Sequence, residues 1–140
     1  MKRRARLALA WVGIAALVAA PALARASEGP LERTAGAWLE LLDTGRFDDA
    51  WRGGAALLRR EGEAQWTEET RRLREEYGPV ESRTAVVKDY HQQLEGAPDG
   101  VYFTLRFRTL LASGGEIVEV VTLTPEADQQ YRVAVYGIKR

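Results

Sequence analysis

EGAPDGVYFTLRFRTLL, residues 95–111, decides the architecture. Gly96-Ala97-Pro98-Asp99-Gly100 is a turn, because proline presets φ and Asp-Gly supplies a side-chain acceptor followed by a residue tolerant of positive φ. The residues that follow alternate. Val101, Phe103, Leu105 and Phe107 point one way, and Tyr102, Thr104, Arg106 and Arg108 the other. One face is core and one is wet, as in an antiparallel sheet covered on one side.

Working outward, residues 80–91 form the strand before this turn. Its odd set (Glu81, Arg83, Ala85, Val87, Asp89) and its even set (Val80, Ser82, Thr84, Val86, Lys88, Tyr90) are both mixed. That pattern fits an edge strand or a strand with a bulge. Ser113-Gly114-Gly115 turns the chain again into a third strand over about residues 116–124, and a fourth follows over about 130–139. The spacing predicts a four-stranded antiparallel meander with strands 80–91, 101–111, 116–124 and 130–139.

Before Pro79 the apolar period is 3.6. Ala35, Trp38, Leu39 and Leu42 make one helical stripe over about residues 31–44, stopped by Gly45. Thr34 either caps this helix or lies within its first turn. Phe47, Ala50, Trp51, Gly54 and Leu58 share a face over about 47–60, where Gly53-Gly54 weakens the helix and marks close packing. Trp66, Thr70, Leu73 and Tyr77 share a face over about 63–77, ended by Gly78-Pro79. Glu68, Glu69, Arg71, Arg72, Arg74, Glu75 and Glu76 read as the solvated side of that helix. Trp38, Trp51 and Trp66 are its large apolar anchors; each packs the core or lines a ligand pocket, and core packing is the commoner use. Three helices followed by four strands predict an α+β domain, the helices packed on one face of the meander sheet.

The N-terminus carries a different signal. A basic MKRRAR, an uncharged apolar run from Leu7 to Ala20, and the small-residue sites Ala22-Leu23-Ala24 and Ala24-Arg25-Ala26 have the layout of a Sec-type signal peptide. The run is shorter than the ~18–20 residues of a spanning helix. The expected organisation is therefore a signal peptide over 1–26 and one domain over 27–140, periplasmic or secreted, with no membrane span after cleavage. Cysteine is absent, so no disulfide staples the fold and no lipid anchor is attached. The chain has 20 basic and 20 acidic residues, and cleavage removes Lys2, Arg3, Arg4, Arg6 and Arg25 but no acid. The remaining acidic surface argues against a nucleic-acid partner.

The segments AWLELLDTGRFDDAW, YGPVESR, GAPDGVYFTLRF, EIVEVVTL and YRVAVYGIK, in that order, resemble a bacterial family catalogued only as domain of unknown function 4019. The resemblance covers nearly all of the chain after residue 26. The last strand starts with Tyr131 where such proteins usually have tryptophan. The resemblance implies a small exported domain with a cone of helices on a curved sheet, similar to cystatins or nuclear-transport-factor-like proteins. It implies no activity.

Reactive side chains are few. Ser27, Ser82 and Ser113 lack a nucleophile-elbow setting, and Gly53-Gly54 and Gly114-Gly115 lack phosphate-loop spacing. Asp48-Asp49 and Glu75-Glu76 diverge on their helices. The one histidine, His91, stands at a strand end before a polar loop, where an exposed loop residue is the ordinary reading and a general base the alternative. No catalytic residue, metal site or cofactor is expected.

One constellation is left. Glu119 shares a strand face with Ile117, Val121 and Leu123. Exposed carboxylates are the norm, which favours Val118 and Val120 on the core and Glu119 in water. In the other register Glu119 lies beneath the helices and needs a partner, since burying an unpaired charge is costly. Arg83 is the partner of choice, and Glu119, Arg83 and Trp66 are then the candidate ligand-binding residues. Tyr102, Val118, Val120, Tyr136 and Ile138 are candidates for an apolar opposite face that serves as a dimer or partner interface. These features suggest an exported module of the cell envelope that binds a small ligand or a protein partner. The alternatives are a self-associating domain, forming a homodimer, and then a pocket enzyme using Glu119 or His91.

Overall fold

A computed structural model describes residues 28–140. The expected signal peptide, residues 1–26, lies outside the described residues. The elements are α1 (Pro30–Asp43), α2 (Phe47–Arg52), a single 3-10 turn (Leu58–Arg60), α3 (Glu63–Tyr77), β1 (Val80–His91), β2 (Tyr102–Leu111), β3 (Glu116–Pro125) and β4 (Tyr131–Lys139). The strands form one open antiparallel sheet in the order β1-β2-β3-β4. The domain is thus α+β, with a meander sheet as its second half.

α1 forms where the stripe requires it. Pro30 takes the first helical position, where its missing N–H costs nothing. Thr34 neither caps the helix nor lies in its first turn: it is the fifth helical residue, and its hydroxyl donates one turn back to the Pro30 carbonyl at 3.0 Å. Ala35, Trp38, Leu39 and Leu42 are all buried. Gly45 follows with φ 74°, a left-handed conformation that costs glycine little and turns the chain into α2.

The second helix is shorter than the expected 47–60. α2 ends at Arg52, Gly53 caps it, and the chain turns before the 3-10 segment. Two consecutive glycines remove propensity, and a tertiary bond supplies the alternative: the Ala55 N–H donates to the Val133 carbonyl of β4 at 2.8 Å. Gly54 is a point of close approach. A Cβ there would sit 2.9 Å from Leu58 Cδ2 and 3.1 Å from the Trp51 carbonyl oxygen.

One core joins both halves: Trp38, Leu39, Leu42, Ala50, Leu58 and Trp66 from the helical segment cluster with Leu105, Phe107, Val121, Leu123 and Val133 from the sheet. Leu105 faces Val121 and Phe107 faces Glu119 across the β2–β3 ladder, so these side chains share one side of the sheet. Fully burying each such apolar side chain stabilises the fold by roughly 1.5–3 kcal/mol. Trp38 is the hinge of the packing. Its indole N–H donates to the Ala50 carbonyl at 2.9 Å, and its ring meets Trp66 (6.0 Å) and Tyr136 (5.4 Å) edge-on.

The mixed pattern of β1 has two causes. It is an edge strand, and it is bulged between Val80 and Ser82 and between Ala85 and Val87. The second bulge corrects the expectation that Val87 shares a face with Arg83 and Ala85. Val87 pairs with Arg106 on the opposite side, while Arg83 and Ala85 keep the core side beside Thr109 and Phe107.

Gly54→Ala tests the close approach. Overpacking of this kind costs ~1–3 kcal/mol, so urea denaturation should show the variant destabilised within that range, with an unchanged m-value.

Candidate functional site

Glu119 is fully buried, at 0 % exposure, in the middle of β3. This corrects the favoured expectation of Glu119 in water: of the two registers open to the sequence, the structure has the other, which puts the carboxylate inside. Val118 and Val120 lie on the other side of the sheet, paired with Arg108 and Arg106. Each Glu119 oxygen has two donors. Oε1 accepts from Arg83 Nε at 2.5 Å and from Thr109 Oγ1 at 2.8 Å. Oε2 accepts from Arg74 Nη1 at 2.9 Å and from the Tyr136 hydroxyl at 2.7 Å. These four bonds use the acceptor capacity of an ionised carboxylate.

A second carboxylate closes the figure. Asp43, the last residue of α1, accepts from Arg83 Nη1 at 2.5 Å and Nη2 at 2.6 Å, and also from Arg74 Nη2. Asp43, Arg74, Glu119 and Arg83 therefore make a ring of alternating charge, two anions and two cations, with no net charge. Arg83 uses all three of its nitrogens, the planar fork that makes arginine suited to such sites. Arg74 is also nearly buried, at 8 % exposure.

Electrostatics favour the charged forms of Asp43 and the two arginines. Burial works against the charge on Asp43, but the hydrogen bonds and charge of Arg83, and then of Arg74, outweigh it and hold its carboxyl below the ordinary 3.8. Burial likewise opposes the charge on both arginines. Tyr136, Glu119 and Asp43 outweigh it at Arg74, and Asp43 and Glu119 at Arg83, so both are held above their ordinary value. Burial, followed by the charge of Glu119, pushes the Tyr136 phenol up. Tyr136 therefore stays a neutral donor.

Sequence reading paired Glu119 with Arg83 and missed Asp43, Arg74, Thr109 and Tyr136. Arg74 was counted on the solvated face of α3, yet it lies four residues beyond buried Thr70 and eight beyond buried Trp66, on the buried stripe itself. Asp43 continues the Ala35–Leu39 stripe and sits where the α1 dipole disfavours an anion, so a cationic partner was implied. Tyr136 corrects the interface expectation. It pairs with Val121 on the core side, and Ile138 pairs with Glu119 there. The bulge opposite Thr122 and Leu123 shifts the β4 register out of reach of simple alternation. Tyr102 is on the opposite side with Val118 and Val120 but is buried, its hydroxyl donating to the Pro98 carbonyl at 2.6 Å. Trp66 is a core residue that also borders a groove of about 370 Å³ with Leu58, Ala134 and Tyr136. His91 lies at the far end of β1, paired with Tyr102, and is not part of the ring.

The ring borders open space on one side. A cleft of about 390 Å³ is lined by Leu42, Phe47, Pro79 and Val80 together with Arg71 and Arg74. This volume is within the ~300–1,000 Å³ of ordinary small-molecule sites. Arg71 is held by Glu68 and Glu75, so the cleft has an apolar floor and a neutralised rim.

Removing one partner of a buried ion pair costs ~3–5 kcal/mol because the other charge is left uncompensated. Glu119→Gln, which keeps the shape and removes the charge, should lose that much stability in urea denaturation. Acid should act through Asp43. Its native carboxyl is held below the ordinary value, so its contribution is complete above 3.8 and fades as the pH falls further through the native value. The melting temperature of the wild type should drop over that window. The drop should be smaller for Asp43→Asn, which starts lower at neutral pH.

The family described as protein of unknown function DUF4019 matches residues 34–136, a span that contains every member of the ring. No curated protein and no solved structure matches the chain. On the family match, which covers well over half of its length, the chain belongs to the DUF4019 family.

Proposed function

We propose that the chain is a non-catalytic binding module of the cell envelope, exported through its N-terminal segment. It takes a small ligand with an apolar body in the cleft beside the charge ring. The observation that carries this reading is the saturation of Glu119. The one carboxylate placed among aliphatic residues already accepts four hydrogen bonds and is fully buried, so it has no capacity left for a substrate proton. That argues for a scaffold rather than an acid or base. The ring ties α1 and α3 to β1 and β3, and the cleft opens where the two helices end and β1 begins. Export is supported by the MKRRAR start, the apolar run and the small-residue sites before Ser27. The order of helices then strands supports the cystatin-like or nuclear-transport-factor-like cone.

A second reading, self-association, is favoured by Val87, Leu110 and Val135. All three are more than one-third exposed on the side of the sheet away from the core.

Native mass spectrometry of the purified protein, in mild and then denaturing conditions, separates the readings. The binding module should appear as a monomer carrying a small molecule that leaves on denaturation. A monomer with nothing bound would overturn it, and a dimer with nothing bound would favour the exposed sheet face.

A further inference from the structure

A second cleft lies at the opposite end of β1, roughly 36 Å from Val80 at ~3.3 Å per residue. It has a volume of about 860 Å³ and is lined by Tyr90, His91, Gln92, Gln93, Asp99, Gly100 and Val101. Its chemistry differs from that of the cleft beside the ring. Tyr90 is 52 % exposed. Its ring lies 5.3 Å from Phe103, which in turn meets Tyr131 at 5.9 Å. The loop that forms the other wall is also fixed. The Gly100 N–H donates to the Gln92 carbonyl at 2.9 Å, the Ala97 N–H to the Leu94 carbonyl at 3.1 Å, and the Tyr102 hydroxyl to the Pro98 carbonyl. Gln92 Nε2 reaches the Tyr90 hydroxyl at 3.3 Å.

The lining selects the ligand class by elimination. No lysine or arginine is among these residues, and Asp99 would repel an anion, so phosphates and carboxylates are disfavoured. Three of the side chains, those of Gln92, Gln93 and Asp99, end in amide or carboxylate groups, which an apolar ligand would leave desolvated and unpaired. What fits is a neutral molecule with one flat C–H face, to lie on Tyr90, and a rim of hydroxyls, to pair with Gln92, Gln93 and Asp99. We propose that this cleft is a saccharide-binding site for neutral pyranose units. It is independent of the cleft beside the ring and of what occupies that one.

The test is titration of the ¹⁵N-labelled protein with maltotriose, cellotriose and N,N′,N″-triacetylchitotriose, three neutral trisaccharides. At least one should bind, with chemical-shift changes confined to the region from Tyr90 to Val101. Tyr90→Ala should weaken that binding about tenfold or more, equivalent to ~1.4 kcal/mol. Tyr90→Phe should retain it, because the ring face is what stacks. Gln93→Ala, which leaves the aromatic row untouched, should also weaken it. The proposal is overturned if none of the three sugars shifts the spectrum. It is also overturned if Tyr90→Ala binds as the wild type does, or if glucose 6-phosphate competes better than glucose.

Discussion

A carboxylate with no access to water must find in the protein every hydrogen bond it gave up, and Glu119 sets that demand at the centre of this sheet. An ionised group left unpaired there would cost far more than the few kcal/mol by which such a domain is stable. The rest of the structure is arranged around the requirement. The bulge after Val80 brings Arg83 to the core side of β1. The pitch of α3 places Arg74 on the Trp66–Thr70 stripe. The β4 register puts the Tyr136 hydroxyl against Oε2 while its ring packs on Trp38. Asp43 balances the second positive charge.

Such a ring is not an efficient way to gain stability. Well-packed apolar residues of the same volume are often as good or better, whereas breaking one member of the ring is costly. Its effect is therefore on which arrangement is allowed. An apolar contact tolerates sliding, but a guanidinium fork that must meet two carboxylates tolerates little. Here the ring ties the ends of α1 and α3 to β1 and β3, so the helical segment has one angle and one depth on the sheet. The cleft beside it inherits walls that are fixed before any ligand arrives, which reduces the ordering that binding must supply.

The fold was legible in the sequence wherever a period ran unbroken. The α1 stripe, the β2 alternation and the punctuation at Gly45, Gly78-Pro79 and Gly114-Gly115 match the elements found. Legibility failed where one residue was inserted or where a tertiary bond competed with propensity. Val87 and Tyr136 were misplaced because a bulge reverses the facing of everything after it, and no side chain announces a bulge. α2 was read too long because the Ala55–Val133 bond, which holds the chain away from the helix, joins residues far apart in sequence. Half of the site was visible, since a glutamate among aliphatics asks for an arginine. The other half was hidden because Arg74 stands in a row of charges that looks like an ordinary wet surface. Its i, i+4, i+8 spacing from Trp66 was the available clue.

The ring also bears on how the chain folds. Together with Thr109 and Tyr136 its members come from α1, α3 and all four strands, and the bonds among them span separations from 10 residues, between Thr109 and Glu119, to 62 residues, between Arg74 and Tyr136. Only the Thr109–Glu119 bond lies within one hairpin; each arginine is satisfied only when two distant carboxylates have arrived. Closure of the ring is thus a completion step, which couples the docking of the helical segment to the last register of the sheet and leaves little room for a stable half-folded form.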